Sequence, residues 1–120
     1  MLTDEQFNRI FPFDQPRKFQ RTIIENIIQA FEISDFVLLQ APTGIGKSVI
    51  ASAVSNYFNT SYILTSQKML QEQYFRDLQI PYVQGRNNYI CRKNSKLTCD
   101  MGICKLMTKN DALNYTCKDC

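Results

Sequence analysis

Histidine is absent from this chain. Any metal site it holds must therefore be built mainly from thiolates. Long apolar runs are missing too: none approaches the roughly 20 residues that a bilayer-spanning helix needs. The opening Met1-Leu2-Thr3-Asp4-Glu5-Gln6 is polar and acidic and lacks the apolar centre of a secretory signal. No internal repeat or low-complexity stretch is visible. Cysteine is missing from most of the chain, because Cys91, Cys99, Cys104, Cys117 and Cys120 all lie near its end. An excess of one charge is missing as well until the chain is divided. Residues 1–84 carry seven Lys/Arg and eight Asp/Glu, a net of −1, whereas residues 85–120 carry seven Lys/Arg and three Asp, a net of +4. The basic end suits a polyanionic partner. At 120 residues there is room for one small domain, or one and a fragment.

What the chain does contain is concentrated in Ala41-Pro42-Thr43-Gly44-Ile45-Gly46-Lys47-Ser48. An apolar run, Phe36-Val37-Leu38-Leu39, precedes it, and Val49-Ile50-Ala51-Ser52-Ala53-Val54, which reads as a helix, follows. Strand, small-residue turn ending in Gly-Lys-Ser, then helix is the context of a phosphate-binding loop. Gly44 and Gly46 let successive backbone N–H groups point into one concavity, and a helix N-terminus adds positive potential there. Lys47 can reach the β- and γ-phosphates of ATP, and the Ser48 hydroxyl can sit on Mg²⁺. The strict pattern begins with Gly, and Ala41 stands in its place. A nucleotide-binding loop without an export signal implies a reducing, cytoplasmic (or nucleoid or nuclear) setting, where clustered cysteines hold metal more often than they form disulfides.

The surrounding pattern predicts an α/β fold. Asp14 and Pro16 are candidate helix-start residues, and Phe19, Ile23, Ile24, Ile27, Ile28 and Phe31 recur at spacings that give one apolar helical face. Ligand contacts from that helix are expected at its polar edge, near Arg17 and Gln20. Residues 36–40 and 61–65 read as strands, Tyr82-Val83 as the start of a third, and residues 67–78 as a helix stopped before Pro81. The alternation predicts a parallel sheet with crossover helices. Beyond Gly85 the periodicity disappears.

Four strings in order resemble a known family. Arg17-Lys18-Phe19-Gln20 resembles the Q-motif region of superfamily 2 helicases, and residues 41–48 resemble their motif I. Tyr62-Ile63-Leu64-Thr65-Ser66-Gln67-Lys68-Met69-Leu70-Gln71-Glu72-Gln73 is similar to motif Ia. Gly85-Arg86-Asn87-Asn88-Tyr89-Ile90-Cys91 resembles the opening of an iron–sulfur domain, which narrows the resemblance to the iron–sulfur helicases, the DinG and XPD family. The resemblance implies a RecA-like P-loop motor domain over residues 1–84, interrupted by a Cys-rich iron–sulfur region over residues 85–120. It implies ATP and Mg²⁺ at Lys47 and Ser48, with Gln20, and Arg17 beside it, reading the adenine edge. It also implies single-stranded or forked DNA as partner, touched by Thr65, Ser66 and Gln73 and by the basic residues Arg86, Arg92 and Lys93.

A 4Fe-4S cluster takes four thiolates, and five cysteines are present. The family pattern matches Cys91 as first ligand, Cys99 and Cys104 as the middle pair and Cys120 as the last, with Cys117 as the alternative. Cys99-x4-Cys104-x12-Cys117-x2-Cys120 equally has the spacing of a four-thiolate zinc site. No Asp-Glu-x-His string follows an apolar strand, and hydrolysis also needs an arginine finger from a second motor domain. The expectation is an incomplete motor domain that binds nucleotide and DNA without turnover, its remaining parts supplied by a C-terminal motor domain. Two other readings stay open: a non-enzymatic binding module with a zinc-stabilised basic tail, and an unrelated P-loop ATPase whose cysteines serve only stability.

Overall fold

A computed structural model describes residues 1–102. They fall into two compact units, one formed by Met1–Tyr82 and a second that begins at Val83. The first unit holds four helices: α1 (Asp4–Ile10), α2 (Gln20–Ala30), α3 (Lys47–Phe58) and α4 (Lys68–Leu78). The second holds a short 3₁₀ turn (Arg86–Asn88) and an antiparallel pair, β1 (Ile90–Cys91) and β2 (Asn94–Thr98).

Local chemistry accounts for each helix. Thr3 and Gln6 form a reciprocal capping box at the start of α1, satisfying two N–H groups that the helix cannot. At the other end, Asn56 Nδ2 donates to the Ile10 carbonyl at 2.8 Å. Arg21 fixes α1 to α2: its guanidinium pairs with Asp4 at 2.5 Å and with Glu25 at 3.3 Å, and lies 5.0 Å from the centre of the Phe7 ring. Phe7, Ile10, Phe11, Ile24, Ile28, Ile50 and Ala53, from α1, α2 and α3, make the buried core. Phe7 and Phe11 stack at 5.1 Å. Asn59 (φ 61°) ends α3 and Gln79 (φ 57°) ends α4; both have a positive φ that a helix cannot continue through, and Gln79 is a left-handed cap.

Three expectations are corrected. Helix α2 begins at Gln20 rather than near Asp14 or Pro16, because Phe19 takes a left-handed conformation (φ 71°). For that reason Phe19 is not core: it stands 60% exposed beneath the Lys18 ammonium, while the buried stripe runs Gln20, Ile24, Ile28. The predicted parallel sheet is absent among the described residues, where the β1–β2 pair is the only sheet. Among the described residues no backbone hydrogen bond joins residues 36–40 or 61–65 to another segment. Their β-branched and aromatic content suits a strand, but a ladder belongs to two segments in register, and neither is paired with another among the described residues. Phe36, Leu38, Tyr62 and Leu64 are each at least 90% exposed as a result. On the other side of these segments, Leu39 and Ile63 face Ile50, Val54 and Phe58 of α3 across an apolar groove of about 570 Å³.

Ile24 is completely buried between the three core helices. Ile24→Ala should cost roughly 2–5 kcal/mol, read as a lowered midpoint in denaturant unfolding, whereas Leu38→Ser on the exposed side should leave the midpoint nearly unchanged.

Candidate nucleotide-binding site

The phosphate loop connects the extended segment at 36–40 to the first turn of α3. Gly44 and Gly46 both have positive φ, 86° and 87°. The first helical bond of α3 runs from Ile50 N–H to the Gly46 carbonyl at 3.0 Å. The amides of Lys47, Ser48 and Val49 thus have no acceptor within the helix and constitute the donor-rich, positive end of its dipole.

Four loop carbonyls around this turn are held by donor side chains. Lys47 Nζ donates to the carbonyls of Ala41 (3.1 Å) and Pro42 (3.0 Å). Arg17 Nη1 donates to the Gly44 carbonyl at 3.0 Å. Gln20 Nε2 donates to the Ile45 carbonyl at 2.8 Å, and Gln20 Oε1 accepts from the Arg17 backbone N–H at 2.8 Å. Among the described residues no carboxylate is paired with Lys47 or Arg17. Two cations therefore line the same cavity without an ion-pair partner, and the carboxylate on its wall, Asp77, is paired with Arg76, an arrangement that suits an anion.

That cavity measures about 600 Å³, within the range of small-molecule pockets. Arg17, Gln20, Thr43, Gly44, Gly46, Lys47 and Ser48 line one side, and the wall is completed by Phe13, Gln15, Val49, Gln73, Tyr74, Asp77 and Leu78. Gln73 thus shares a cavity with the phosphate loop. Phe13, Gln15, Tyr74 and Asp77 were not singled out in the sequence. The signal for the last two was present, as Gln73, Tyr74 and Asp77 recur at helical spacing on one face of α4. The Arg76 guanidinium, hydrogen-bonded to Asp77 at 2.8 Å, holds that carboxyl below the usual carboxylate range, and a hydrogen bond from Gln73 acts in the same direction.

The remaining candidates lie elsewhere. Thr65 Oγ1 accepts from the Gln67 N–H at 3.3 Å, a local turn leading into α4, and Ser66 is exposed beside it. In the second unit, Arg92 and Lys93 form the two-residue tip of the hairpin, since Cys91 pairs with Asn94. Both are exposed, as is Arg86. Asn88 Nδ2 donates to the Gly85 carbonyl at 3.0 Å, and the Gln84 N–H donates to the Tyr89 hydroxyl at 2.8 Å. The Cys99 N–H donates to the Tyr89 carbonyl at 2.8 Å, so Cys99 continues the hairpin that carries the buried Cys91. Cys104, Cys117 and Cys120 lie outside the described residues. Among the described residues no group of three or more His, Cys, Asp or Glu is gathered closely enough to hold a metal ion. None of their helices is long and apolar enough to cross a membrane.

The family profile described as "Type III restriction enzyme, res subunit" (ResIII) matches residues 13–112. The chain is also 31% identical, over a 101-residue alignment, to the ATP-dependent DNA helicase YoaA of Escherichia coli (strain K12). That alignment takes in 73% of this chain and 16% of the relative, so the chain spans about a sixth of the curated protein it matches. No solved structure gives a significant match.

The two loop glycines should respond differently to a methyl group. Both pay the penalty of a left-handed conformation, about 1–2 kcal/mol. A Cβ at Gly44 would enter open space, whereas one at Gly46 would collide with Gln20 Nε2. Gly46→Ala should therefore lower the unfolding midpoint further than Gly44→Ala, measured side by side in denaturant.

Proposed function

Because the chain belongs to the ResIII family, a helicase superfamily 2 family of P-loop NTPase-like fold, we propose that it is the nucleotide-binding portion of an ATP-dependent DNA helicase. The observation that carries this reading is the pair of cations without an ion-pair partner, Lys47 and Arg17, lining one cavity of about 600 Å³ together with the α3 N-terminus. A triphosphate entering there would take Lys47 Nζ from the carbonyls of Ala41 and Pro42. A charge-assisted bond to a phosphate oxygen is the stronger of the two alternatives. Ser48, on the first turn of α3, would hold Mg²⁺ through its hydroxyl, and the metal would neutralise charge between the β- and γ-phosphates. Thr65 and Ser66, with Arg86, Arg92 and Lys93, are the proposed contacts to single-stranded or forked DNA; Gln73, expected among them, lines the nucleotide cavity instead. The exposed cations at the hairpin tip support this, because phosphate contacts dominate such binding. A further motor domain would complete turnover.

An iron–sulfur helicase is the finer reading, supported by the residues around Cys91. In a chain without histidine the donors are thiols, and Gly85, Asn88 and Tyr89 lock the backbone on which Cys91 and Cys99 sit. These two would be half of a four-thiolate set. The residues completing it, Cys104 with Cys120 or Cys117, fall beyond the described part. When bound, a 4Fe-4S cluster would order the basic segment around it; zinc on four thiolates would do the same.

Nucleotide titration of the 120-residue chain tests the main reading. Lys47→Ala should weaken ATP binding by about 1–3 kcal/mol, with the fold retained by circular dichroism. Equal affinity in the two proteins would sink the assignment of the loop. Iron and acid-labile sulfide analysis of anaerobically purified protein separates the metals. Iron with sulfide, lost together with the brown colour in Cys91→Ser, is the expected result. One zinc per chain, no sulfide and tolerance of Cys91→Ser would decide for the zinc site.

A further inference from the structure

Asp77 is an acidic residue at the wrong end of a helix. It is the penultimate residue of α4, where the C-terminal end of the helix dipole disfavours negative charge. Its ion pair with Arg76 joins adjacent residues, which do not face each other along a helix, and the two side chains are 41% and 75% exposed. A pair so open to water adds little to stability. Helix stability therefore does not explain this carboxylate, but its location does. Among the described residues that line the cavity beside the phosphate loop, Asp77 is the single carboxylate.

The lining is chemically divided. Lys47, Arg17 and the first amides of α3 bring donors and positive charge to it, which suit phosphates. Asp77 repels phosphates. Its bonds from Arg76 and Gln73 hold it below the usual carboxylate range, so it stays ionised and can only accept. A molecule that satisfies both parts carries anionic groups at one end and neutral donors at the other, as a nucleotide does. Its ribose hydroxyls are the neutral donors nearest the phosphates, and carboxylates accept from ribose hydroxyls in other nucleotide sites. A carboxylate has about four lone-pair sites, and Arg76 and Gln73 leave part of that capacity unused. Gln73 lies one turn before Asp77 on the same face and lines the same cavity. Its amide both donates and accepts, matching hydroxyls that do the same. We propose that Asp77, oriented by Arg76 and Gln73, accepts hydrogen bonds from the ribose hydroxyls of a bound nucleotide, so that the sugar as well as the phosphates sets affinity. The proposal rests on the nucleotide-binding reading of the cavity.

The test uses the whole chain as wild type, Asp77→Ala and Lys47→Ala. Each is titrated with ATP, 2′,3′-dideoxy-ATP, purine riboside triphosphate (which lacks the base amine) and inorganic tripolyphosphate. Wild type should bind ATP about tenfold more tightly than the dideoxy analogue, the scale of a hydrogen bond to a charged group. In Asp77→Ala that difference should vanish through weaker ATP binding, while tripolyphosphate binds no more weakly than before. Alanine is a good helix former, so the unfolding midpoint of Asp77→Ala should match wild type. Equal affinity of wild type for ATP and the dideoxy analogue would overturn the proposal without any variant. An equal loss for all four compounds in Asp77→Ala would overturn it too, in favour of a structural role. So would a loss that spares only purine riboside triphosphate and tripolyphosphate, which would make the base amine the donor. Failure of the underlying reading looks different: Lys47→Ala would then bind tripolyphosphate as well as wild type does.

Discussion

The side-chain amide of Gln20 is the tie on which the first unit depends. It is the point where the helical core and the phosphate loop become one structure. Its carbon stem belongs to the buried stripe of α2, and its two polar atoms belong to two segments outside that helix. Removing either bond would leave a buried donor or acceptor without a partner, costing about 1–3 kcal/mol. A loop with two left-handed glycines has little stiffness of its own. Its shape has to be imposed by neighbours, and the turn from Arg17 to Gln20 supplies two of the three side chains that impose it.

The third is Lys47, which holds the loop from the other side. With its ammonium on the carbonyls of Ala41 and Pro42, the loop is closed on its own lysine. Those bonds stand in for the ones a phosphate would make, so binding would exchange partners instead of immobilising a loose side chain. The entropy of ordering a lysine, on the order of 1.5–2 kcal/mol, is then already met before the ligand arrives. Arg17 differs: its bond to the Gly44 carbonyl uses Nη1, which leaves further guanidinium donors on a residue that lines the cavity.

How much of this could be read from sequence varied with the range of the interaction. The phosphate loop, the end of α3 near Phe58 and the span of α4 follow from residues adjacent in the chain: glycines at required φ values, a helix-stopping Asn59, a periodic apolar face. The capping box at Thr3 and Gln6 was equally local, yet the opening Met1–Gln6 stood out only as polar and acidic, because the apolar pattern after it is short. Gln20 shows the opposite case. Its spacing from Ile24 and Ile28 marks it as inward-facing, but polarity alone suggests the outer edge of the helix. Only a partner 25 residues away explains how it can be buried. The strands failed for a related reason: residues 36–40 and 61–65 carry strand-like sequences, and pairing depends on segments that sequence does not bring together.

The same logic bears on the cavity wall contributed by α4. That helix buries none of its residues completely, so it is held less by core packing than α2 or α3. Its inward face is polar, with Gln73 and Asp77 linked to each other and to Arg76. A wall made of exchangeable polar groups can adjust to a ligand at small cost, whereas the opposite wall, built on Gln20 and the two glycines, cannot. On the proposed nucleotide-binding reading, the site pairs a fixed side that suits the invariant chemistry of phosphates with a compliant side facing the rest of the ligand. Selectivity among nucleotides would then be expected from Phe13, Gln15, Tyr74 and Asp77, which the loop's own geometry leaves unconstrained.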